Sequence, residues 1–331
     1  MLVAPTVEIA KQEDIEELAA LRLAQGWHKS RPLLEALRTW DRGRIFVIRD
    51  AEAPADGAPH RHGIVASTAA IACDGVGVIG NVMVRADQQR KGLGRRVMVA
   101  ALDWLRERGV RSVVLDATPA GRPLYRTLGF VPYGLSYFAD APLSDLDDAA
   151  LDAAAGEQRA SICPASELGR LAALDRAAFG GDRLGLLASL LHDPAASLVV
   201  ADGADGQPAA YALVRPQEAP NLGVRLGPWV ARDQRAAAAV LRAGLAPNAP
   251  WCAAEGGASA ERLALHVGLP GTSTDALDLL RSLGLRIVED DLMMQFDFVP
   301  EGAAPPATAA ELRPIAEHPE WVYGWLAPMV F

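Results

Sequence analysis

Lysine is nearly missing from this chain. Of 32 basic residues only Lys11, Lys29 and Lys91 are lysines. With so much Ala, Gly and Asp alongside, this looks like genome composition rather than function. An excess of positive charge is missing too: 41 acidic residues leave a net charge of −9. General binding to nucleic acid or to an anionic membrane needs a basic footprint, so neither partner is expected. Cysteine is scarce. Cys73, Cys163 and Cys252 are far apart and odd in number, which gives no disulfide framework and no metal spacing and suits a reducing cytoplasm. The six histidines also lack ligand spacing. His60 and His62 sit in an Ala/Pro/Gly-rich stretch that reads as a solvated turn, so no metal is expected. No basic region followed by an apolar stretch opens the chain, so no signal peptide is expected. The apolar run from Trp321 to Phe331 is far too short to cross a bilayer. It reads as a segment that packs onto its own chain or onto a partner subunit, the latter making a homodimer.

What is present is enough sequence for two cores. The chain has 331 residues, half of them hydrophobic, whereas one domain usually takes about 100–200 residues. Its most informative stretch runs from Val82 to Arg96. A β-rich apolar segment ends in the polar loop Arg85-Ala86-Asp87-Gln88-Gln89-Arg90-Lys91-Gly92-Leu93-Gly94-Arg95. An amphipathic helix with Leu93, Val97, Trp104 and Leu105 on one face comes next. A helix N-terminus carries free N–H groups and the positive end of the dipole, and glycines let a ligand approach the backbone. Arg90, Lys91, Arg95 and Arg96 add positive charge. The spacing is not that of a P-loop, because Arg95-Arg96 follows the last glycine where Lys-Ser or Lys-Thr is needed. Nor is it a dinucleotide fingerprint, because only the first glycine pair of Gly-x-Gly-x-x-Gly is present. Taken alone, the pattern Gln89-x-x-Gly92-x-Gly94 reads either as a phosphate cradle or as a charged strand-to-helix turn.

The stretch beyond decides between the two. Val113 to Thr118 reads as a short buried strand, broken by Pro119-Ala120-Gly121. Arg122-Pro123-Leu124-Tyr125-Arg126-Thr127-Leu128-Gly129-Phe130 reads as a two-turn helix closed by glycine. The order strand, Gln-x-x-Gly-x-Gly, long helix, strand, Leu-Tyr-x-x-x-Gly-Phe resembles the GNAT superfamily of acyl-CoA-dependent N-acyltransferases. The resemblance covers about residues 3–139, with the sharp motifs in 82–130. The string Leu115-Asp116-Ala117-Thr118-Pro119-Ala120-Gly121-Arg122-Pro123-Leu124-Tyr125 is similar to a subgroup of bacterial tandem GNAT proteins.

The element order supports a repeat. The first half reads as strand 6–10, helices after Asp14 and near 31–40, strand 44–49, and a hairpin of 63–74 and 76–84 turned at Asp74-Gly75. The long helix, a strand, the short helix and closing strands near 131–139 complete it. From Ile162 the order recurs, with helices at 166–179 and 183–192 and strands at 197–201, 208–215 and 222–231. A helix at 233–245, a strand at 263–268, a helix at 275–283 and final strands at 285–289 and 292–298 end this second cycle. Val84-Arg85-Ala86-Asp87-Gln88 echoes Val230-Ala231-Arg232-Asp233-Gln234, and Leu124 to Phe130 echoes Leu279 to Leu285. The expected fold class is therefore α/β: two tandem GNAT-like domains, each a mixed, mostly antiparallel sheet flanked by helices. The expected layout is a catalytic domain at 1–139, an acidic, partly helical linker at 140–159, a degenerate domain at 160–300 and a C-terminal tail at 301–331. The second copy has an alanine run after Gln234 in place of Gly-x-Gly, and Leu280 in place of Tyr125. It is expected to keep the fold without acyl-CoA chemistry.

The resemblance implies transfer of an acyl group, most often acetyl from acetyl-CoA, to an amine by direct attack in a ternary complex. Such chemistry needs a proton acceptor for the amine, an N–H donor for the developing oxyanion and an acid for the leaving thiolate. Carried onto this chain, it assigns the backbone of Met83 and Val84 to the pantetheine arm and acyl carbonyl. It assigns the N–H groups of Gln89, Arg90, Lys91, Gly92, Leu93, Gly94 and Arg95 to the pyrophosphate, and Tyr125 to the thiolate acid. A phenol can donate a proton, so the residue type fits. Asp116 is a candidate base, with capping of the following turn as its structural alternative. Asn81 could orient a water. Trp27 and His28 lie between the first two helices, where acceptors of the family often bind; Trp27 equally reads as core cover. The expected acceptor is a small-molecule amine. A non-catalytic acyl-CoA-binding regulator and a protein N-terminal or lysine acetyltransferase remain as alternatives.

Overall fold

The computed structural model describes residues 6–27, 30–50, 63–217, 222–254 and 263–324. They form two compact units. The first runs to Pro132 and takes in Met294–Arg313; the second comprises Tyr133–Met293 and a return segment beginning at Pro314.

The first unit opens with β1 (Val7–Ile9), α1 (Ile15–Ala24), α2 (Arg31–Thr39), β2 (Gly43–Arg49), β3 (Ile64–Cys73) and β4 (Val76–Val84). It continues with α3 (Leu93–Glu107), β5 (Ser112–Ala117) and α4 (Arg122–Thr127). β1 to β4 form an antiparallel meander, and β4 joins β5 in parallel. The hairpin turns at Asp74-Gly75 as expected, with Asp74 left-handed at φ 54°, the conformation that two-residue hairpin loops require. α3 buries Leu93, Val97, Met98, Ala101, Leu102, Trp104 and Leu105. Each full burial of a large apolar side chain contributes about 1.5–3 kcal/mol, so this face fixes α3 on the sheet.

The chain goes on through β6 (Val131–Pro142), α5 (Asp148–Ala155), β7 (Ser161–Cys163), α6 (Ala172–Phe179), α7 (Leu184–Leu190), β8 (Ser197–Asp202) and β9 (Pro208–Gln217). Then come β10 (Gly223–Ala231), α8 (Gln234–Gly244), α9 (Pro250–Ala254), β11 (Ala264–Pro270), α10 (Thr274–Ser282), β12 (Arg286–Asp297) and β13 (Val322–Gly324). In the second unit β7 to β10 are antiparallel, β10 joins β11 in parallel, and β6 pairs β11 antiparallel. Each unit is thus a mixed, mostly antiparallel sheet with helices. α8 buries Ala236 to Leu241, and these small side chains bring the helix close to the sheet. At Gly244 an added Cβ would stand 2.8 Å from Val214 Cγ2. Asp175 and Arg183, both buried, pair at 2.7 Å, and the Tyr211 hydroxyl donates to Asp175. Burial raises the Tyr211 phenol well above its ordinary range.

Three segments differ from the expected pattern. For residues 285–298 the expectation is two strands, split at the acidic run Glu289-Asp290-Asp291. They form the single strand β12. The main chain can pair straight through a charged run, and Asp291 is buried. The Met294–Asp297 end belongs to the first unit's sheet, beside β5. There Phe130, Phe296 and Phe298 pack with successive ring centroids 5.5 and 5.1 Å apart. The stretch 140–159 contains the end of β6 and α5, whose Leu151 and Ala155 enter the second unit's core. The helix expected at 166–179 starts as 3-10 turns through Leu171. Among the described residues no helix is long and apolar enough to cross a membrane, and no group of three His, Cys, Asp or Glu is placed to hold a metal ion.

Candidate functional site

β4 and β5 pair only at their starts, from Val76–Ser112 to Val78–Val114. Beyond Val78 the strands part, and among the described residues no strand pairs with that edge of β4. The cause lies in β4 itself. The β3–β4 register shifts between Ser67 and Ala69, opposite Asn81, which is buried and left-handed at φ 52°. Such a bulge bends a strand and re-aims the residues beyond it. Ser67 and Thr68 hydroxyls donate to the Asn81 and Gly80 carbonyls at 3.4 and 3.1 Å. Asn81 is therefore the hinge residue of the bulge.

Past the bulge, the Arg85 N–H donates to the Val65 carbonyl at 2.8 Å. Antiparallel ladders alternate, so the peptide groups of Met83 face β3 and those of Val84 face the open edge. The Gln89 side-chain amide donates to the Val84 carbonyl at 3.3 Å, bracing the loop against the strand. Arg85 adds a second brace: its guanidinium meets Asp87 at 2.7 Å and Asp50 at 3.4 Å. It holds the Asp87 carboxyl down to about 2.

The loop delivers the N-terminus of α3 with no side-chain cap. Gly92 is left-handed at φ 78°, and an added Cβ there would have nothing within 4 Å. The first helical bond runs from Arg96 N–H to the Gly92 carbonyl. The N–H groups from Gly92 to Arg95 are those the helix leaves without an internal acceptor. Arg90, also left-handed at φ 62°, and Lys91 are exposed; Lys91 donates to Gln88 at 2.8 Å. Gly94 has a different role. An added Cβ would stand 3.3 Å from Leu124 Cδ2 and 3.5 Å from Val84 Cγ2, so Gly94 lets α3 lie against α4 and β4. Arg95 reaches the same helix, donating to the Thr127 hydroxyl at 3.3 Å.

These contacts hold α4, which carries Tyr125, against the first turn of α3. Its ring is buried and lies 6.0 Å from that of Phe130. Gly121 makes room for it: an added Cβ would come 2.7 Å from Cε2 and 3.1 Å from the hydroxyl. Asp116 is half-buried on β5, past the parting. It shares a strand face with Val114 and Val78, opposite the face on which Gly77 meets Leu105 of α3. The turn after β5 is capped by Thr118, whose hydroxyl accepts from Gly121 N–H at 3.3 Å. Trp27 is half-buried, with the Arg22 guanidinium 5.7 Å from its ring centroid. Burial pushes that guanidinium down to about 10. His28, His60 and His62 lie outside the described residues.

β4 and β5 part, a glycine loop leads into the uncapped start of α3, and Tyr125 stands on the next short helix. The model of the acetyltransferase (GNAT) family matches residues 12–130, and that of an acetyltransferase (GNAT) domain matches residues 171–300. The chain belongs to the GNAT family, in a tandem arrangement. It is 33% identical over 167 residues to YitH of Bacillus subtilis (strain 168), described as an uncharacterized N-acetyltransferase, covering 49% of this chain and 54% of YitH. The chain thus spans about half the length of that curated relative. The fold is similar to that of a putative acetyltransferase from Pyrococcus horikoshii (TM-score 0.68, 19% identity, 99% of this chain and 96% of that one). It is also similar to that of a tandem GNAT protein from the clavulanic acid biosynthesis pathway (TM-score 0.58, 12% identity, 89% and 100%). The GNAT family in general uses acetyl-CoA.

Sequence reasoning does not reach Gly121, the Arg95–Thr127 tie or the Gln89 brace. Only Gly121 leaves a signal: it stands four residues before Tyr125, and Ala276 stands four before Leu280.

Proposed function

We propose that the first unit of this GNAT protein moves an acetyl group from acetyl-CoA to a primary amine of a small molecule by direct attack. The observation that carries the reading is the open β4 edge leading into the uncapped N-terminus of α3. A strand edge offers N–H and C=O groups to an amide-bearing arm, as it does to a peptide. An uncapped helix start suits a pyrophosphate. The neutral amine nitrogen attacks the thioester carbonyl, and the carbon–sulfur bond breaks. The Tyr125 hydroxyl gives its proton to the departing thiolate, and the attacking nitrogen loses its proton to Asp116 through water. Backbone N–H at the parted edge stabilises the oxyanion. The three cysteines are few and far apart in the sequence, which fits a cytoplasmic setting.

Titration with acetyl-CoA, then thiol release over an amine panel, tests the reading. One site per chain with amine-dependent thiol release supports an enzyme. Binding without release on any amine would leave an acyl-CoA-binding regulator. Release only with basic peptides would move the acceptor to a protein N-terminus or lysine.

A further inference from the structure

The second unit has the same parting of strands, and it is filled. β10 pairs with β11 from Gly223–Ala264 to Arg225–His266 and no further. Along the same edge of β10, beyond that point, lies β13, antiparallel, with Trp229 opposite Gly324 and Val230 opposite Val322. β13 also touches β11 and α10. Val322 and Trp229 are both buried. The return segment is anchored before it arrives: His318 N–H donates to the Ala177 carbonyl at 2.8 Å, and an added Cβ on Gly180 would overlap the Ile315 carbonyl.

The surroundings are set for a peptide rather than for a phosphorylated carrier. Arg232 N–H donates to the Ala209 carbonyl at 2.9 Å, the bond that Arg85 makes in the first unit. After Arg85 come Ala86–Gly92 before the helix; after Arg232 comes Asp233 alone. The Asp233 carboxylate takes the Ala236 N–H at 2.8 Å, so a negative charge already sits where an anion would bind. α10 carries Leu280 in the place of Tyr125, since Leu285 N–H bonds the Leu280 carbonyl as Phe130 N–H bonds that of Tyr125, both at 3.0 Å.

We infer that the cleft between β10 and β11 is a strand-receiving site whose resident is the chain's own Val322–Gly324, held where the first unit holds open a slot for acyl-CoA. This rests on the acyl-CoA reading of the first cleft. Main-chain hydrogen bonds supply affinity, and the buried Val322 side chain supplies fit, as in other strand additions.

The test uses a chain ending at Arg313 and a fluorescent peptide spanning residues 314–326. Peptide anisotropy and acetyl-CoA calorimetry are read on the same sample. The shortened chain should bind one peptide saturably, the full chain none, and a peptide with Val322→Pro at least ten-fold more weakly. One acetyl-CoA should bind in both chains. A shortened chain that binds acetyl-CoA but no peptide overturns the inference, as does one that binds two acetyl-CoA. Peptide binding without acetyl-CoA binding in either chain would instead sink the reading of the first cleft. If the shortened chain does not fold, hydrogen exchange on full-length Val322→Pro decides. Amides of Trp229 and Ala231 should lose protection relative to the unaltered chain, and unchanged exchange overturns the inference.

Discussion

Arg85 and Arg232 hold the same place in their sheets, and the residues after them differ in every respect that matters to an anion. After Arg85 the chain spends Ala86–Gly92 on a loop braced by Gln89 and Arg85, then starts α3 uncapped. After Arg232 a single residue, Asp233, starts α8 and caps it with its own carboxylate. The scaffold is kept in both. The strands part at the same register, and the short helices α4 and α10 end on left-handed Gly129 and Gly284. The two clefts differ in a few residues at one helix start, in the carboxylate that caps it in the second, and in β13, which lies along β10 there.

The largest way to break the comparison is at the tyrosine. Tyr125→Phe should lower turnover about 10²–10⁴-fold, the usual worth of a general acid, while acetyl-CoA affinity by calorimetry stays near that of the unaltered chain. The ring and its packing on Phe130 survive, so the loss belongs to the transition state. Leu280→Tyr should restore nothing, because no loop stands beside it. Equal turnover in Tyr125→Phe, with chemistry shown to be rate-limiting, would leave proton delivery to water.

The two glycines of the loop should separate next. Gly92→Val places a β-branched residue at φ 78°, a conformation such a side chain rarely adopts. The neighbourhood is open, so the loop relaxes rather than the fold. Acetyl-CoA affinity should fall roughly ten- to hundred-fold with little change in melting temperature. Gly94→Val instead presses on Leu124 and Val84 and should lower the melting temperature as well. If both variants melt alike and bind alike, the two glycines have one role, not two.

Gly121 and Tyr125 should behave as a pair. Gly121→Ala forces a Cβ to 2.7 Å from the tyrosine ring, an overpacking worth about 1–3 kcal/mol. Adding Tyr125→Leu reproduces the Ala276/Leu280 pair of the second unit, and should recover stability but not turnover. A double-mutant cycle in denaturant reads the coupling directly; additive effects would show that the glycine does not make room for the ring.

Much of the fold and the cleft is legible in the chain alone. Periods of 2 and 3.6 give the element order, and Gly92-x-Gly94 with Leu-Tyr-x-x-x-Gly-Phe points to one cleft. Two kinds of information are out of reach. Pairing between distant segments leaves no local pattern, so neither the Met294–Asp297 end of β12 beside β5 nor β13 on β10 can be read. Register is the other. Matching Asp87-Gln88 with Asp233-Gln234 is natural by letter, yet the hydrogen bonds to Val65 and Ala209 equate Arg85 with Arg232 and shift the match by one residue. With Arg232 matched to Arg85, α8 begins one residue after its N-cap Asp233, so the second copy lacks the loop altogether, and not only its glycines.

The smallest effect is expected at the residue that closes the second helix. Asp233 Oδ1 accepts from Ala236 N–H, a side-chain cap whose removal typically costs about 1 kcal/mol. Asp233→Ala should lower the melting temperature by a few degrees at most, and Asp233→Asn, which keeps an acceptor, should recover most of it. Neither should change acetyl-CoA binding to the first unit. Nor should either add a second site, because the residues of a loop are still missing and β13 still lies on β10. A second acetyl-CoA appearing in Asp233→Ala would mean that one carboxylate alone had kept it out, and the difference between the two clefts would be electrostatic rather than built into the length of the chain.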